Sequence, residues 1–593
     1  MRKVLVANRG EIAVRVVQAC RDEGLTSVAV YAESDRDALH VRLADEAYAL
    51  RGDTAAETYL DISRLVETAL ASGADAVHPG YGFLSESAAF ARAVREAGLV
   101  WIGPSAETIE LLGDKVAARR IARAVGAPVA PGTDGPVTTA EEVAAFAGAH
   151  GYPVVIKAAH GGGGRGLRMA RDAQEVPDLL ESAVREAVGA FGRGECFVER
   201  YLERPRHVET QCLADEYGNV AVLSTRDCSV QRRHQKLVEE APATGLSPRQ
   251  WELLKEGSAA ILREAGYVGA ATCEFLLAAD GTLSFLEVNA RLQVEHPVTE
   301  QITGVDLVRE MIRIADGQRL TYTDLAVRGH ALEFRVNAED VRRGFAPASG
   351  RLDRFVLPTG PGVRVDTGYT EGDTVPPQFD SLIAKLVVTG TDRDQALARA
   401  RRALSQLTVE GLPTLVPFHR ALLDNPEFTA SVPRVHTRWV ETEFSLEGLD
   451  SDGVTDTPVG RETGHVQTRE RMTVEVNGRR YEVSLPADPF TGVTPPRPPR
   501  TARANPAARG GGVRRTGFVL TTPTPGTVVK VAVADGDLVE PGDTVVILEA
   551  MKMEQPLTAH RAGVVRGLAV EAGGAVGQGD VLCEIVDIPE ESQ

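Results

Sequence analysis

Seven residues near the C-terminus return at a fixed offset. Gly526, Ala532, Val533, Gly536, Val539, Gly542 and Asp543 recur 37 positions on as Gly563, Ala569, Val570, Gly573, Val576, Gly579 and Asp580. Glycine and valine at this spacing mean short strands and tight turns. Two such units side by side predict a small all-β flattened barrel with internal pseudo-two-fold symmetry over residues 516–588. The stretch "EAMKM" (549–553) falls in the link between the halves. Lys552 is therefore expected on an exposed turn, between Met551 and Met553.

That lysine belongs to a sparse set. The chain has 65 basic residues, of which only eight are lysine: Lys3, Lys115, Lys157, Lys236, Lys255, Lys385, Lys530 and Lys552. Where arginine serves every generic purpose, a surviving lysine is enriched for tasks a guanidinium does poorly. Two such tasks are a point charge on a phosphate and an acylatable amine.

The remainder of the 593 residues divides by texture. Residues 3–7 read as a buried strand, 11–22 as a helix and 27–32 as a second strand, the start of a doubly wound parallel sheet. No G-x-G-x-x-G motif is present, so no dinucleotide site is expected. We expect domains at 1–112, 113–325 and 326–445, all mixed α/β. A linker follows at 446–515, rich in Pro, Ala, Gly and Arg in its second half, with a β-hairpin at 472–486 turning on Asn477-Gly478. A net charge of −18 argues against nucleic-acid or anionic-membrane partners. Six scattered cysteines without a C-x-x-C pair, no signal peptide and no long apolar run fit a cytoplasmic protein.

Two stretches carry chemistry. "VVIKAAHGGGGRGLRMA" (154–170) sets Lys157 at a strand end before a glycine run, which permits close backbone approach to phosphates. From 287 to 295, Glu287, Asn289, Arg291, Gln293 and Glu295 alternate with apolar residues, with Glu274 on a preceding hairpin strand. Carboxylates and an amide oxygen are hard ligands suited to Mg²⁺. Nine extended residues reach about 26 Å, too long for one compact site. A metal end (Glu287, Asn289) and a separate reaction end (Arg291, Glu295) are expected, with a bend between them. His207 and His234 show no zinc spacing; hydrogen bonds to a nucleotide sugar suit them better.

"NRGEIA", "HPGYGFLSE", "GDK" (113–115), the glycine run, "TRDCSVQRRHQK", "EVNARLQVEHPVTE" and "EFRVNAED" (333–340) together resemble biotin carboxylase over about residues 1–445. "EAMKM" inside the repeat resembles the biotin carboxyl carrier domain over about 517–588. The pair looks like the fused alpha-chain of a biotin-dependent acyl-CoA carboxylase. The resemblance implies a pre-ATP-grasp (Rossmann-like) domain, an ATP-grasp domain and a mixed α/β C-terminal domain. A flexible linker and an all-β biotinyl domain complete it.

The resemblance also implies roles. Lys115 and Lys157 would hold the ATP phosphates under Gly163, Gly164 and Gly166. Glu199 and Leu202 would contact adenine, and His207, Gln231 and His234 the ribose side. Glu274, Glu287 and Asn289 would ligate Mg²⁺ or Mn²⁺. Lys236, Arg291, Gln293 and Val294 would bind bicarbonate, with Glu295 as its general base. Arg335 would bind biotin and carboxyphosphate, and Arg291 would stabilise the biotin enolate. Lys552 would carry covalent biotin. Implied partners are a carboxyltransferase beta subunit and biotin protein ligase, in a hetero-oligomer. His160 and Arg200 stand where the family usually has glycine and lysine, and the region between carboxylase and carrier parts is short. Acetyl-CoA and propionyl-CoA are both open as final acceptors. Alternatives are the alpha-chain of another such carboxylase, for example the methylcrotonyl-CoA enzyme, or a lipoyl-type carrier fused to an ATP-grasp ligase.

Overall fold

The computed structural model describes residues 1–159, 167–191, 193–322, 325–446, 448–449, 469–476, 479–486, 518–522, 526–550, 553–577 and 579–587. Gly163, Gly164, Gly166, Lys552, the turn pair Asn477-Gly478 and the linker segment 487–515 lie outside these residues.

The N-terminal apolar runs become a five-stranded parallel sheet. Its order is Glu46–Ala49, Thr26–Tyr31, Lys3–Val6, Ala76–His78, Val100–Trp101. Helix Gly10–Asp22 follows the first strand and is buried around most of its circumference, at Glu11 to Val17 and at Ala19 and Cys20.

An eight-stranded antiparallel sheet follows. In order it comprises Leu283–Asn289, Gly269–Leu277, Arg206–Ala214, Val220–Arg232, Gln235–Ala241, His330–Asn337, Leu382–Gly390 and Val363–Thr367. Strand pairing thus continues past residue 325. Separately, a three-stranded antiparallel layer is built from Arg168–Ala170, Val154–Ala158 and Cys196–Arg200. Its alternation decides what faces where. Val154, Ile156, Cys196 and Val198 pack into a core with Val143, Ala147, Val176 and Ala183. Lys157 and Glu199 alternate with them and so point the other way.

The C-terminal repeat folds as two four-stranded sheets. Strands Gly526–Val531, Leu538–Val539 and Thr544–Ala550 in the first half correspond to Gly563–Arg566, Ala575–Val576 and Val581–Val586 in the second. Each strand and its counterpart lie in different sheets. Gly526 pairs Val576 and Gly563 pairs Val539, which are repeat mates. The turns obey the same rule. Gly536 and Gly573 have φ of 100° and 89°, and Gly542 and Gly579 of 99° and 84°, a conformation that L side chains rarely adopt. Asp543 Oδ2 accepts from Glu540 N at 2.8 Å, and Asp580 Oδ2 accepts from Gly577 N at 2.6 Å. Thr544–Ala550 pairs Met553–Thr558 with Ala550 opposite Met553, so Lys552 lies between these two strands in sequence.

A separate unit holds the strand Arg469–Val476, paired antiparallel with Arg479–Pro486. Among the described residues no helix is long and apolar enough to cross a membrane.

Candidate active site

Register across the eight-stranded sheet creates the site. Glu287 lies directly opposite Glu274, Glu274 opposite Glu209, and Glu209 opposite Arg226. Three carboxylates therefore stand in one row on one face. Like charges directly opposite repel, so the row demands cations. Lys115 Nζ lies 2.8 Å from Glu287 Oε2. His207 Nε2 is 3.1 Å from Glu274 Oε2. Lys236 Nζ reaches Glu209 Oε2 at 2.5 Å and Glu274 Oε1 at 3.1 Å. Arg226, with no solvent exposure, donates to Glu209 Oε1 at 2.5 Å, Gln211 Oε1 at 2.6 Å and Thr272 Oγ1 at 3.0 Å. Burial opposes an imidazolium at His207, but the Glu274 carboxylate outweighs it and raises the ring to about 9. Burial likewise raises Glu274, yet Lys236 and His207 hold it well below the usual carboxylate range.

The expected bend exists, but the two ends do not separate. The strand stops at Asn289, and Glu295 is the N-cap residue of helix His296–Thr303. Its side chain makes no cap hydrogen bond. Instead Lys236 Nζ donates to Glu295 Oε1 at 2.6 Å, and Arg335 donates to Oε2 at 2.9 Å. One ammonium thus touches both Glu274 and Glu295. The chain folds back after Asn289, which the extended-strand estimate of 26 Å did not contain. Burial pushes the Glu295 carboxyl up, Lys236 and Arg335 pull it down, and the net position is below the usual range. Glu295 is therefore ionised at neutral pH and able to accept a proton.

The other expected residues line the same cleft, of about 900 Å³. Gln293 Nε2 donates to Glu274 Oε1 at 3.1 Å, and Asn289 Nδ2 donates to the same oxygen at 2.9 Å. Arg291 is held by Glu86 Oε2 at 2.9 Å and donates to Asn289 Oδ1 at 3.0 Å. Glu199 faces Lys157 Nζ at 2.5 Å and also contacts Arg119, so its carboxylate sits among the phosphate-end cations. Gln231 Nε2 lies 3.4 Å from His207 Nδ1, and His234 and Val294 line the wall. Leu202, Val155, Met169 and Leu276 add apolar lining to the same cleft, which suits a flat ring.

Glu274 and Glu287, paired across one hairpin beside Asn289, offer the oxygen donors a hard divalent cation needs. Their present partners are ammonium and imidazolium groups, so the position already selects positive charge. Glu86, Arg119, Glu209, Arg226 and Glu239 were not singled out in the sequence. Glu239 accepts from Arg335 Nε at 2.6 Å. For Glu209 the one available signal was a polar run, His207 to Gln211, inside a strand that is buried almost throughout.

Four family models match the chain. They are Biotin carboxylase, N-terminal domain, over residues 1–109; Carbamoyl-phosphate synthase L chain, ATP binding domain, over 114–323; Biotin carboxylase C-terminal domain over 333–442; and Biotin-requiring enzyme over 519–585. The chain is 55% identical over 592 residues to the biotin-dependent acyl-coenzyme A carboxylase alpha3 subunit of Mycobacterium leprae, covering 98% of each. It is 47% identical to a biotin carboxylase of Nostoc, over 72% of this chain and 96% of that one. Among solved structures, it is similar to the biotin carboxylase domain of Hydrogenobacter thermophilus 2-oxoglutarate carboxylase, in complex with MgADP, ADP and bicarbonate. There the TM-score is 0.70 at 46% identity, over 74% of this chain and 97% of that one.

Proposed function

Because this chain belongs to the biotin carboxylase family and carries a biotin-requiring domain on the same polypeptide, we propose that it carboxylates biotin tethered to its own Lys552 and passes the carboxyl group to a separate carboxyltransferase subunit. The observation that carries the reading is Glu295, ionised and gripped by Lys236 and Arg335, within one lysine's reach of the Glu274 carboxylate.

Bicarbonate is a poor electrophile and must be activated. Glu295 takes its proton, so that its oxygen can attack the terminal phosphorus of ATP, breaking the bond to the bridging oxygen and releasing ADP. Lys115 and Lys157 offset charge on the phosphates. Lys236 and Arg335 bind the developing carboxyphosphate while Arg291 and Gln293 orient it. Glu274, Glu287 and Asn289 would hold a divalent ion, which would supply further positive charge at the phosphate end. Lys552 would carry biotin as an amide, whose ureido nitrogen would receive the carboxyl group as phosphate leaves and takes up the ureido proton. The apolar lining at Leu202 keeps water from the base-binding region.

The acyl acceptor is acetyl-CoA or propionyl-CoA, supported by the whole-length likeness to an acyl-coenzyme A carboxylase alpha3 subunit. The working enzyme is a cytoplasmic hetero-oligomer, loaded by a biotin protein ligase, and the hairpin Arg469–Val476/Arg479–Pro486 is its dock for the carboxyltransferase. The test is copurification of the biotinylated chain with its carboxyltransferase and assay against a panel of acyl-CoAs. Carboxylation confined to a 2-oxo acid, or a lipoyl adduct on Lys552, would overturn the reading. Deleting 472–486 should abolish copurification and spare carboxylation of free biotin.

A further inference from the structure

Lys385 is one of the eight lysines, and nothing above gives it a task. It sits inside the apolar strand "LIAKLVVTG" (Leu382–Gly390) with no solvent exposure. A buried ammonium in such a strand needs strong partners. Its Nζ donates to the Val294 carbonyl oxygen at 2.9 Å and lies 3.1 Å from Glu11 Oε1. Asp366 Oδ2 is 4.0 Å away, and the Tyr81 ring centroid 6.0 Å.

The register explains why the contact matters. Lys385 lies directly opposite Arg335 on the neighbouring strand His330–Asn337. These two cations approach the same dipeptide from the same sheet. Arg335 holds the Glu295 carboxylate at 2.9 Å, and Lys385 holds the carbonyl of the peptide that joins Val294 to Glu295. Peptide planarity makes the second contact consequential. Fixing the Val294 C=O also fixes the Glu295 N–H and the direction in which the Glu295 Cα leaves. The segment needs it: residues 290–295 belong to no strand or helix, so no ladder of main-chain bonds sets their path.

We propose that Lys385 is a positioning residue for bicarbonate activation, acting as a clamp on the Val294–Glu295 peptide that aims the general base. The proposal rests on the reading of Glu295 as that base. The chain is rich in arginine, yet a guanidinium here would have to fit a fully enclosed space sized for a point charge between a carbonyl and a carboxylate. A purely structural reading is the rival. In it, Lys385 serves only to neutralise Glu11 and dock the first turn of helix Gly10–Asp22.

The two readings separate in steady-state kinetics of bicarbonate-dependent ATP cleavage by the whole chain. Loss of a charge-assisted hydrogen bond should raise KM for bicarbonate about tenfold or more in Lys385→Met, with KM for MgATP within about twofold of wild type. Removing Lys385 alone leaves Glu11 buried without its cation, and the variant could fail to fold. The double variant Lys385→Met/Glu11→Gln removes both charges and should show the same bicarbonate effect. Glu11→Gln alone keeps the amine on the Val294 carbonyl and should keep the wild-type KM for bicarbonate. An unchanged bicarbonate KM in the folded double variant overturns the proposal. So does a parallel rise in KM for MgATP, which would mean general loosening. Glu295→Gln run beside them tests the underlying reading separately. If it retains bicarbonate-dependent cleavage, the base assignment fails whatever Lys385 does.

Discussion

Nucleotide binding should take up a proton, and Lys157 should be the group that receives it. Lys157 faces Glu199, but Arg119 shares that carboxylate and Lys115 stands on Glu287. Three cations thus confront two carboxylates. Burial, then Arg119 and Lys115, push the Lys157 amine down to about 7, with Glu287 opposing. An anionic phosphate supplies the missing negative charge and restores the ammonium toward the ordinary lysine value of about 10.4. The sign follows. Above about pH 7 the free enzyme holds Lys157 neutral and the complex holds it charged, so binding draws a proton from solvent between these two values. A group titrating near 7 is about nine-tenths neutral at pH 8, so MgADP binding should take up about 0.9 proton there and about 0.1 at pH 6. Affinity should weaken about tenfold, or about 1.4 kcal/mol, per pH unit above 7 until the bound-state value is reached. Calorimetry at pH 8 in buffers of different ionisation enthalpy reads the proton count as a slope. Lys157→Gln should abolish the slope as well as weaken binding. A flat buffer dependence in the wild type, or an undiminished one in the variant, would refute the charge count at the phosphate end.

Three further outcomes are expected. Glu295→Gln should lower bicarbonate-dependent phosphate release by about a hundredfold or more, the usual contribution of a positioned base, while MgADP still binds by calorimetry. Lys552→Arg keeps the positive charge but lacks an acylatable amine; mass spectrometry should find no biotin adduct, and carboxylation of free biotin should persist. Asp543→Ala and Asp580→Ala each remove the same turn hydrogen bond from opposite halves of the repeat. Each should cost about 1 kcal/mol in hydrogen-exchange protection of strands Thr544–Ala550 and Val581–Val586. Costs differing by more than that would count against symmetric halves.

Much was legible in the sequence, for physical reasons that differ by region. The repeat announced the barrel because its turns demand glycine and aspartate at fixed offsets, a local constraint that survives in any sequence. Lys115, Lys157 and Lys236 stood out because this chain spends arginine everywhere else. Glu209 and Arg226 were opaque because their meaning arises only from register. Glu287, Glu274, Glu209 and Arg226 come from four strands, and no spacing along the chain reports that they form one row. The bend after Asn289 was expected, but that it returns Glu295 to the same lysine as Glu274 was not, for a related reason. Alternation from 287 to 295 is a strand signal, but the last residues alternate because Glu295 must meet Lys236 and Arg335, not because a ladder holds them.

The split between the eight-stranded sheet and the three-stranded layer bears on how nucleotide binding relates to the base. Lys157 and Glu199 belong to the smaller layer, whereas Glu274, Glu209, Lys236 and Arg335 belong to the larger sheet. No strand is shared between them. A main-chain link runs through one segment, where Phe285 N of the larger sheet donates to Pro128 O at 2.7 Å and Arg200 N of the smaller layer donates to Pro131 O at 2.9 Å, while the grip on Glu295 draws on the larger sheet alone. A nucleotide lying against Lys157 and Glu199 would thus touch a layer that takes no part in holding the Glu295 carboxylate.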